Sequence, residues 1–249
     1  MKTLVVAALE AELKPLKKMG RCKILQERKL FQFGVVTIQD KELYFLRTGM
    51  GCKRIAQAFF WLSEFFTPDK ILHLGTCGGF DPDLKCGDLL FAESALRADV
   101  VWLTNIALTE KLLRACEREK LPLRRAVLFT ADEVIASVEH KAELWRTTHA
   151  AAVDMESAAV LEFAHPRNIP VVVTRVVWDS AHDMMPDIFD CLDAVGNLHV
   201  GKFVWKVATH PKLWKELPAL GRQLKLCQQV LGKVLDSSRS VPEFFTENA

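Results

Sequence analysis

The sequence predicts an α/β protein, in which buried strands and amphipathic helices alternate along most of its 249 residues. Residues Val171–Val177 are β-branched except for one arginine, a composition typical of a central strand that is buried on both faces. Between residues 53 and 66, Ile55, Phe59 and Leu62 recur at helical spacing and give this segment an apolar face. Together these patterns predict a sheet that is covered by helices.

Elements of the first third follow from apolar runs and from the turn residues between them. The apolar run that starts the chain is followed by acids, which predicts a buried strand and then a helix in which Pro15 marks a kink or a break. Asp40 and Lys41 separate two strand-like segments and predict a hairpin. The glycines of Gly75–Gly79 predict a loop that lets a ligand approach the backbone. In chain order we expect a strand at Thr3–Ala8, a helix at Glu10–Lys18, strands at Phe31–Gln39 and Glu42–Arg47, a helix at Lys53–Phe66 and a strand at Lys70–Leu74.

The rest of the chain continues the alternation and then becomes helical. Neither a repeat nor a linker interrupts it, so we expect one domain over residues 1–249 with a helical C-terminal extension at about 186–249. Within that extension, Leu198–Leu235 is predicted to be helical, with breaks at His210-Pro211 and near Pro218. The remaining predicted strands are Asp88–Ala95, Arg124–Phe129, Ala151–Val153 and Val171–Val177, and the remaining helices are Thr109–Lys120, Val138–Arg146 and Met155–Ala164.

Composition narrows the classes of function. The 33 basic and 31 acidic residues leave a formal charge of +2, and neither sign forms a long run, so nothing requires a nucleic acid or an anionic membrane as partner. No apolar run approaches the length of a membrane span. The seven cysteines are scattered without a C-x-x-C motif, which predicts reduced thiols in a cytoplasmic protein, with no metal site and no cofactor.

Two acids are predicted to meet at one edge of the sheet. Glu156 follows the short strand at Ala151–Val153, at a strand-to-helix corner, and Asp179 ends the strand at Val171–Val177. Ligands of open α/β sheets bind at the carboxyl ends of strands, so two acids delivered there indicate chemistry. Alternatively, Glu156 favours the dipole of the helix that it starts and Asp179 caps the next helix.

Five segments, taken in order, resemble the nucleoside phosphorylase superfamily and most closely its methylthioadenosine/S-adenosylhomocysteine nucleosidase branch. The resemblance covers about Met1 to Asp183. It implies a three-layer α/β/α domain around a mixed, partly barrel-like central sheet, usually a homodimer or larger, which cleaves the N-glycosidic bond of purine nucleosides. The segments are Ala7–Glu12, Thr48–Gly51, Gly75–Gly79, Val153–Ser157 and Arg175–Asp179.

The resemblance also assigns roles to individual residues. It makes Asp179 the general acid that protonates the departing purine and Glu12 the acid that activates the attacking water, which gives two carboxylates flanking a scissile sugar bond. From spacing alone, Glu12 would instead be solvated on a surface helix. The implied substrate-binding residues are Glu156 at the ribose hydroxyls, Met155 against the sugar, Thr76, Cys77 and Gly78 at the base or ribose, and Val134 and Ile135 beside the purine.

Three departures from the family pattern bear on the substrate. Trp178 stands where the nucleosidases usually carry a small hydroxyl residue before the acid, and Ser94–Asn105 is shorter than the corresponding stretch, which forms part of the 5′ pocket in the family. Residues for the 5′ substituent are therefore not carried over. The segment Pro186–Leu235 resembles the tail of hopanoid-associated phosphorylases, which act on an adenosyl group attached to a large lipid, and a futalosine-type nucleosidase also fits. An enlarged apolar 5′ pocket is expected, with walls from Phe203, Val204, Trp205, Leu213 and Trp214.

The choice between hydrolysis and phosphorolysis depends on the nucleophile site. Phosphorylases of the superfamily usually place a glycine and an arginine after the first strand, whereas this chain has Leu9, Glu10 and Glu12, which would repel phosphate. Water is therefore the expected nucleophile, and Arg47 is the residue that could restore a phosphate site. A nucleoside-binding protein without catalysis is a further hypothesis, which Trp178 favours and the three acids oppose.

Overall fold

The computed structural model describes residues 1–184, 191, 209 and 211–245, and for 211–217 it describes the backbone alone. Strands and helices alternate in this part of the chain, as the sequence predicts. The strands are β1 (Thr3–Ala7), β2 (Arg21–Glu27), β3 (Gln32–Ile38), β4 (Lys41–Arg47), β5 (Lys70–Gly79), β6 (Leu89–Arg97), β7 (Val100–Leu103), β8 (Leu123–Thr130), β9 (Ala152–Asp154) and β10 (Val171–Asp179). The helices are α1 (Glu10–Lys18), α2 (Cys52–Ser63), α3 (Ile106–Glu117), α4 (Val138–Thr148), α5 (Ser157–Ala164) and α6 (Pro211–Ser238).

The sheet is mixed and closes on itself over part of its width. Strand β10 pairs in parallel with β5 and antiparallel with β6. The circuit returns from β6 to β5 through β8 and β9, so five strands form a barrel-like ring. Strands β1, β4, β3 and β2 extend from β5 as an open sheet. The predicted fold class, with its partly barrel-like sheet, is confirmed.

Alternation along the central strands produces two helical layers. In β1, Leu4 and Val6 belong to one core cluster, whereas Val5 and Ala7 belong to the other, because successive side chains of a strand point to opposite faces. Helices α2 and α5 contribute to the first cluster, and α3 and α6 contribute to the second. The molecule is therefore a three-layer α/β/α structure built around strands that are buried on both faces.

Helix α6 corrects one prediction for the C-terminal segment. It runs from Pro211 through Pro218 to Ser238, so the predicted break near Pro218 is wrong, whereas the break predicted at His210-Pro211 includes a residue outside the described ones. Farther along, Val230 and Leu231 are buried in the core cluster beside β1 and β10, and α6 packs against α1 and α3. Packing of this kind outweighs the local cost of a proline. Most of the predicted extension before Pro211 lies outside the described residues.

Strand β5 corrects a second prediction, because it runs through the glycines that were expected to form a loop. The glycines make room for buried side chains. A Cβ atom at Gly75 would lie 2.9 Å from Arg175 Nη1, and one at Gly78 would lie 3.2 Å from Asp179 Oδ2. Pro15, by contrast, lies inside α1 without ending it.

Two strands were missed from the sequence. Every residue of β2 is exposed, and an edge strand of this kind has no buried face to impose alternation. Strand β7 has four apolar residues and pairs with β6, but it is too short for a clear pattern. Both strands depend on pairing with a neighbour, which local sequence does not reveal.

Candidate active site

A pocket lies where the carboxyl ends of β1, β4, β5, β9 and β10 come together. Its enclosed volume is about 110 Å³, and its volume with the solvent-filled space at its mouth is about 670 Å³. The position agrees with the general rule for ligands of α/β sheets. The lining comprises Ala8, Leu9, Glu12, Met50, Thr76, Cys77, Gly78, Glu133, Val134, Ile135, Val153, Asp154, Met155, Glu156, Trp178 and Asp179.

The structure brings all the predicted site residues but one to this pocket. The exception is Arg47, which does not line it. Arg47 Nη1 donates a hydrogen bond to Glu10 Oε2 at 3.2 Å, and Lys17 also binds Glu10. The charge of Arg47 is therefore engaged by a neighbouring carboxylate, at the end of β4.

Glu12 is buried at the start of α1, with only 5% of its surface exposed, so the solvated alternative does not hold. Its Oε2 accepts a hydrogen bond from the Leu9 amide at 3.0 Å. Its Oε1 accepts from the amide and the hydroxyl of Thr76, at 2.9 and 3.0 Å. Burial raises the pKa of Glu12 above its ordinary value, against the opposing effect of Arg175 and these hydrogen bonds. The carboxyl is thus held in one orientation at the pocket wall.

Glu156 links the start of α5, which it precedes, to the start of α2. Its Oε1 accepts a hydrogen bond from the amide of Gly51 at 2.8 Å, and Gly51 precedes α2 with a φ of 95°, a conformation that favours glycine. Burial, followed by the nearby Asp154 carboxylate, raises the pKa of Glu156 to about 7. Glu156 therefore does more than balance the dipole of the helix that follows it, because its carboxyl holds the turn before α2.

The buried guanidinium of Arg175 places a positive charge near the acids Asp154, Glu156 and Glu12. Arg175 is 1% exposed, and its Nε donates to Asp154 Oδ2 at 2.8 Å while its Nη2 donates to Ser157 Oγ at 3.0 Å. Its Nη2 also meets His73 Nε2. Burial, and then the guanidinium, lower the pKa of His73 to about 3. A neutral imidazole accepts from Arg175 and donates through Nδ1 to the Val6 carbonyl at 3.1 Å.

Asp179 also belongs to a buried ion pair, and its partner was missed from the sequence. Lys141 Nζ donates to Asp179 Oδ2, and the lysine side chain is fully buried. Burial raises the pKa of Asp179, whereas Lys141 opposes this shift. A signal for this lysine existed, because Lys141, Leu144 and Trp145 share one face of α4, and the latter two residues pack against an apolar cluster.

The end of the pocket that was predicted to bind the base is apolar. Ile135 and Val153 pack with Phe80 in one cluster, and Val134, which is 37% exposed, lies next to them in the loop before α4. Cys77 is buried, and burial raises the pKa of its thiol well above the ordinary value, so this cysteine is a thiol and not a nucleophilic thiolate.

Four further findings concern membrane helices, metal sites, cysteines and the predicted 5′ pocket. In the part of the chain that the structure describes, no helix has the length and apolar character to cross a membrane, and no group of three or more His, Cys, Asp and Glu residues is arranged for a metal. All seven cysteines are free thiols. Of the residues expected to wall an enlarged 5′ pocket, Phe203, Val204 and Trp205 lie outside the described residues, as do the side chains of Leu213 and Trp214.

Comparison with known proteins gives consistent results. The sequence model of the phosphorylase superfamily matches residues 2–197 of this chain. The 5′-methylthioadenosine/S-adenosylhomocysteine nucleosidase of Staphylococcus aureus (strain JH9) is 25% identical over 200 residues, which cover 72% of this chain and 86% of the relative. The crystal structure of the corresponding nucleosidase of Neisseria meningitidis, in complex with methylthio-immucillin-A, has a TM-score of 0.74 and 22% identity and covers 95% of this chain and 98% of its own. The native futalosine hydrolase of Helicobacter pylori strain 26695 has a TM-score of 0.75 and 19% identity and covers 97% and 98%.

Proposed function

We propose that the chain, which belongs to the phosphorylase superfamily, is a purine nucleosidase. Its reaction is hydrolysis of the N-glycosidic bond of a 5′-substituted nucleoside, with release of adenine or a related purine. The substrate class is that of methylthioadenosine, S-adenosylhomocysteine and aminodeoxyfutalosine. The observation that carries the proposal is that three buried acids, Glu12, Glu156 and Asp179, line one pocket. The similar proteins are a nucleosidase and a futalosine hydrolase, which supports hydrolysis of the N-glycosidic bond as the reaction of this chain.

The acids match the charges that develop in this reaction. Breaking the bond between ribose and purine leaves cationic charge on the sugar and negative charge on the base, so the site must protonate the base and support the sugar. Asp179, whose pKa burial raises, is the proton donor. Glu156 binds the ribose hydroxyls, and Met155 packs against the sugar. Glu12, held by Leu9 and Thr76, accepts a proton from the attacking water.

Water is the proposed nucleophile because the surroundings of Glu12 disfavour phosphate. Glu10 and Glu12 lie shortly after the end of β1, and Arg47, the residue predicted as a possible phosphate ligand, donates to Glu10 and does not line the pocket. A dianionic phosphate would meet carboxylates here. A phosphorolytic reaction therefore has less support than hydrolysis, and formation of a ribose 1-phosphate product would reverse this order.

We also propose that the protein is a cytoplasmic homodimer. Apolar side chains of β7 and of the start of α3 are exposed, with Val101, Leu103 and Ile106 at 56%, 60% and 65%, and Phe60 of α2 is 76% exposed. Exposed apolar surface of this kind is typical of a protein interface. Light scattering at several protein concentrations measures the oligomer size.

The test of the proposed function is a panel of substrates with and without phosphate. The intact protein is incubated with methylthioadenosine, S-adenosylhomocysteine or 6-amino-6-deoxyfutalosine. Chromatography measures the released purine, and mass spectrometry identifies the sugar product. We expect a free purine and a free sugar whether or not phosphate is present. Glu12→Gln should stop turnover and keep substrate affinity, whereas the exposed Glu119→Gln should match the wild type. Substrate binding without any purine release would instead identify a nucleoside-binding protein.

A further inference from the structure

Helix α4 contains a buried charge where an amphipathic helix normally places an apolar residue. Lys141 is the one residue of α4 that is buried, and its side chain has no exposed surface. Lysine is rarely buried to this extent unless its ammonium group is paired. The proposed reaction assigns no role to this residue, and the sequence motifs do not include it.

The ammonium group of Lys141 has three acceptors for its three hydrogens. It donates to Asp179 Oδ2, to the Ser180 carbonyl at 2.9 Å and to the Asp183 carbonyl at 2.8 Å. The turn that carries these carbonyls is closed by Asp183, whose Oδ2 accepts from the amide and the hydroxyl of Ser180, both at 2.8 Å. Lys141 therefore ties the end of β10 and the turn that follows it to α4, and all its donors are used.

We propose that Lys141 is a positioning residue for the general acid: by donating to Oδ2 of Asp179, it directs the transferable proton to Oδ1. This inference rests on the proposed function, since it concerns the same pocket. An ammonium group that donates to one carboxyl oxygen makes protonation of that oxygen unfavourable. The proton that goes to the purine is then carried by the other oxygen, and the carboxyl group cannot rotate freely.

The buried pair also explains how an acid stays a good donor. Burial alone would hold the proton too tightly, whereas a nearby cation opposes burial and keeps the acid strong enough to release it. The charged and titratable groups around Asp179 are Lys141 of α4, Asp183 of the turn after β10, Cys77 of β5 and Cys86 before β6. Lys141 is the cation among these groups.

The first experiment compares two leaving groups in the wild type and in Lys141→Met. One substrate is the adenine nucleoside that the wild type cleaves best, and the other is 4-nitrophenyl β-ribofuranoside, whose leaving group departs without a proton. We expect Lys141→Met to lower kcat for the adenine nucleoside about tenfold to hundredfold, part of the effect of a general acid. KM should change less, and turnover of the nitrophenyl riboside should stay near the wild-type value. Equal loss on both substrates would overturn the proposal.

A pH profile adds a second readout. With the cation removed, Asp179 should lose its proton at higher pH, so the alkaline limb of kcat/KM for the adenine nucleoside should move to higher pH in Lys141→Met. Lys70→Met is the matched control, because Lys70 is buried at the opposite end of β5 and donates to the Glu243 carbonyl. It should leave both the profile and the ratio between the two substrates unchanged. A profile of Lys141→Met that coincides with the wild type would contradict the proposal.

A double variant covers the case in which Lys141→Met alone does not fold. Lys141→Met with Asp179→Asn removes both charges together, so no buried charge is left unpaired. If Lys141 acts through Asp179, the double variant should release adenine no more slowly than Asp179→Asn alone. A further loss that affects both substrates equally would show a structural role. Failure of the wild type to release adenine from any nucleoside would refute the proposed function itself, which separates the two outcomes.

Discussion

Two buried ion pairs lie within one molecule and differ in their surroundings. Arg175 and Asp154 are 1% and 0% exposed at their side chains, and Ser157, His73 and Thr130 complete the hydrogen bonding around them. In the second pair, the Lys141 side chain is fully buried, and its partner Asp179 lines the pocket with a side chain that is 9% exposed. Both acids belong to residues that line the pocket, but the side chain of Asp154, in what we call the closed pair, has no exposed surface, whereas that of Asp179, in the open pair, is partly exposed to the space for a ligand.

The two pairs also differ in the pKa values of their acids, Asp154 and Asp179. Burial opposes ionisation of both, but Arg175 and the hydrogen bonds lower the pKa of Asp154 below its ordinary value. The pKa of Asp179 remains raised because burial outweighs the effect of Lys141. At the closed pair the guanidinium outweighs burial in its effect on the pKa of the carboxyl, whereas at the pocket burial outweighs the effect of the ammonium group. Substitutions at the closed pair should therefore affect folding, and substitutions at the pair beside the pocket should affect chemistry in addition to any effect on folding.

The largest expected effect is on catalysis at the open pair. Asp179→Asn should lower kcat for the adenine nucleoside by about 10²–10⁴-fold, the usual contribution of a general acid. Substrate affinity should be kept, because an amide retains the shape of the carboxyl. Steady-state kinetics with a binding measurement checks this, and unchanged turnover would remove Asp179 from the mechanism.

Next in size is the effect on stability at the closed pair. Asp154→Asn leaves Arg175 buried without its counter-charge, which should lower the free energy of unfolding by about 3–5 kcal/mol. Urea denaturation followed by circular dichroism measures the change. A loss below about 1 kcal/mol would mean that His73 and Ser157 alone satisfy the guanidinium.

A third prediction concerns pH and Glu156. Its folded pKa of about 7 lies above that of an exposed glutamate, so the native chain retains a proton that the unfolded chain releases. The free energy of unfolding should then fall by about 3 kcal/mol as pH rises from about 4.5 to 7, through this group alone. Glu156→Gln should remove that part of the dependence, which is measured by denaturation at several pH values. Parallel curves for wild type and variant would contradict the raised pKa.

The smallest expected effect is steric and lies between the two pairs. In Gly75→Ala, the new Cβ atom would meet Arg175 Nη1 at 2.9 Å and Glu12 Oε1 at 3.2 Å. Moving these groups should cost about 1–3 kcal/mol of stability. The control is Gly221→Ala in α6, where a Cβ atom meets nothing within 4 Å. That change should be neutral or stabilising by up to about 1 kcal/mol, and a similar loss in both variants would refute the steric explanation.

Much of the fold was predictable because its signals are local. The β-branched run of β10, the turn residues between β3 and β4 and the apolar face of α2 are patterns within short segments, and they give correct elements with boundaries close to those observed. The errors share one cause. Strand β2 is entirely exposed, β5 continues through its glycines, and α6 continues through Pro218, since in each case contacts with a distant part of the chain outweigh the local preference.

The sequence alone determined the α/β class, the placement of Glu156 and Asp179 at strand ends, and the family resemblance, because these depend on residue types and short spacings. Only the tertiary structure decided that Glu12 is buried and that Lys141 meets Asp179. It also decided that Arg47 donates a hydrogen bond to Glu10. The reason is physical: burial and pairing of a charge depend on groups brought together from separate segments, and these set its pKa and its freedom to act.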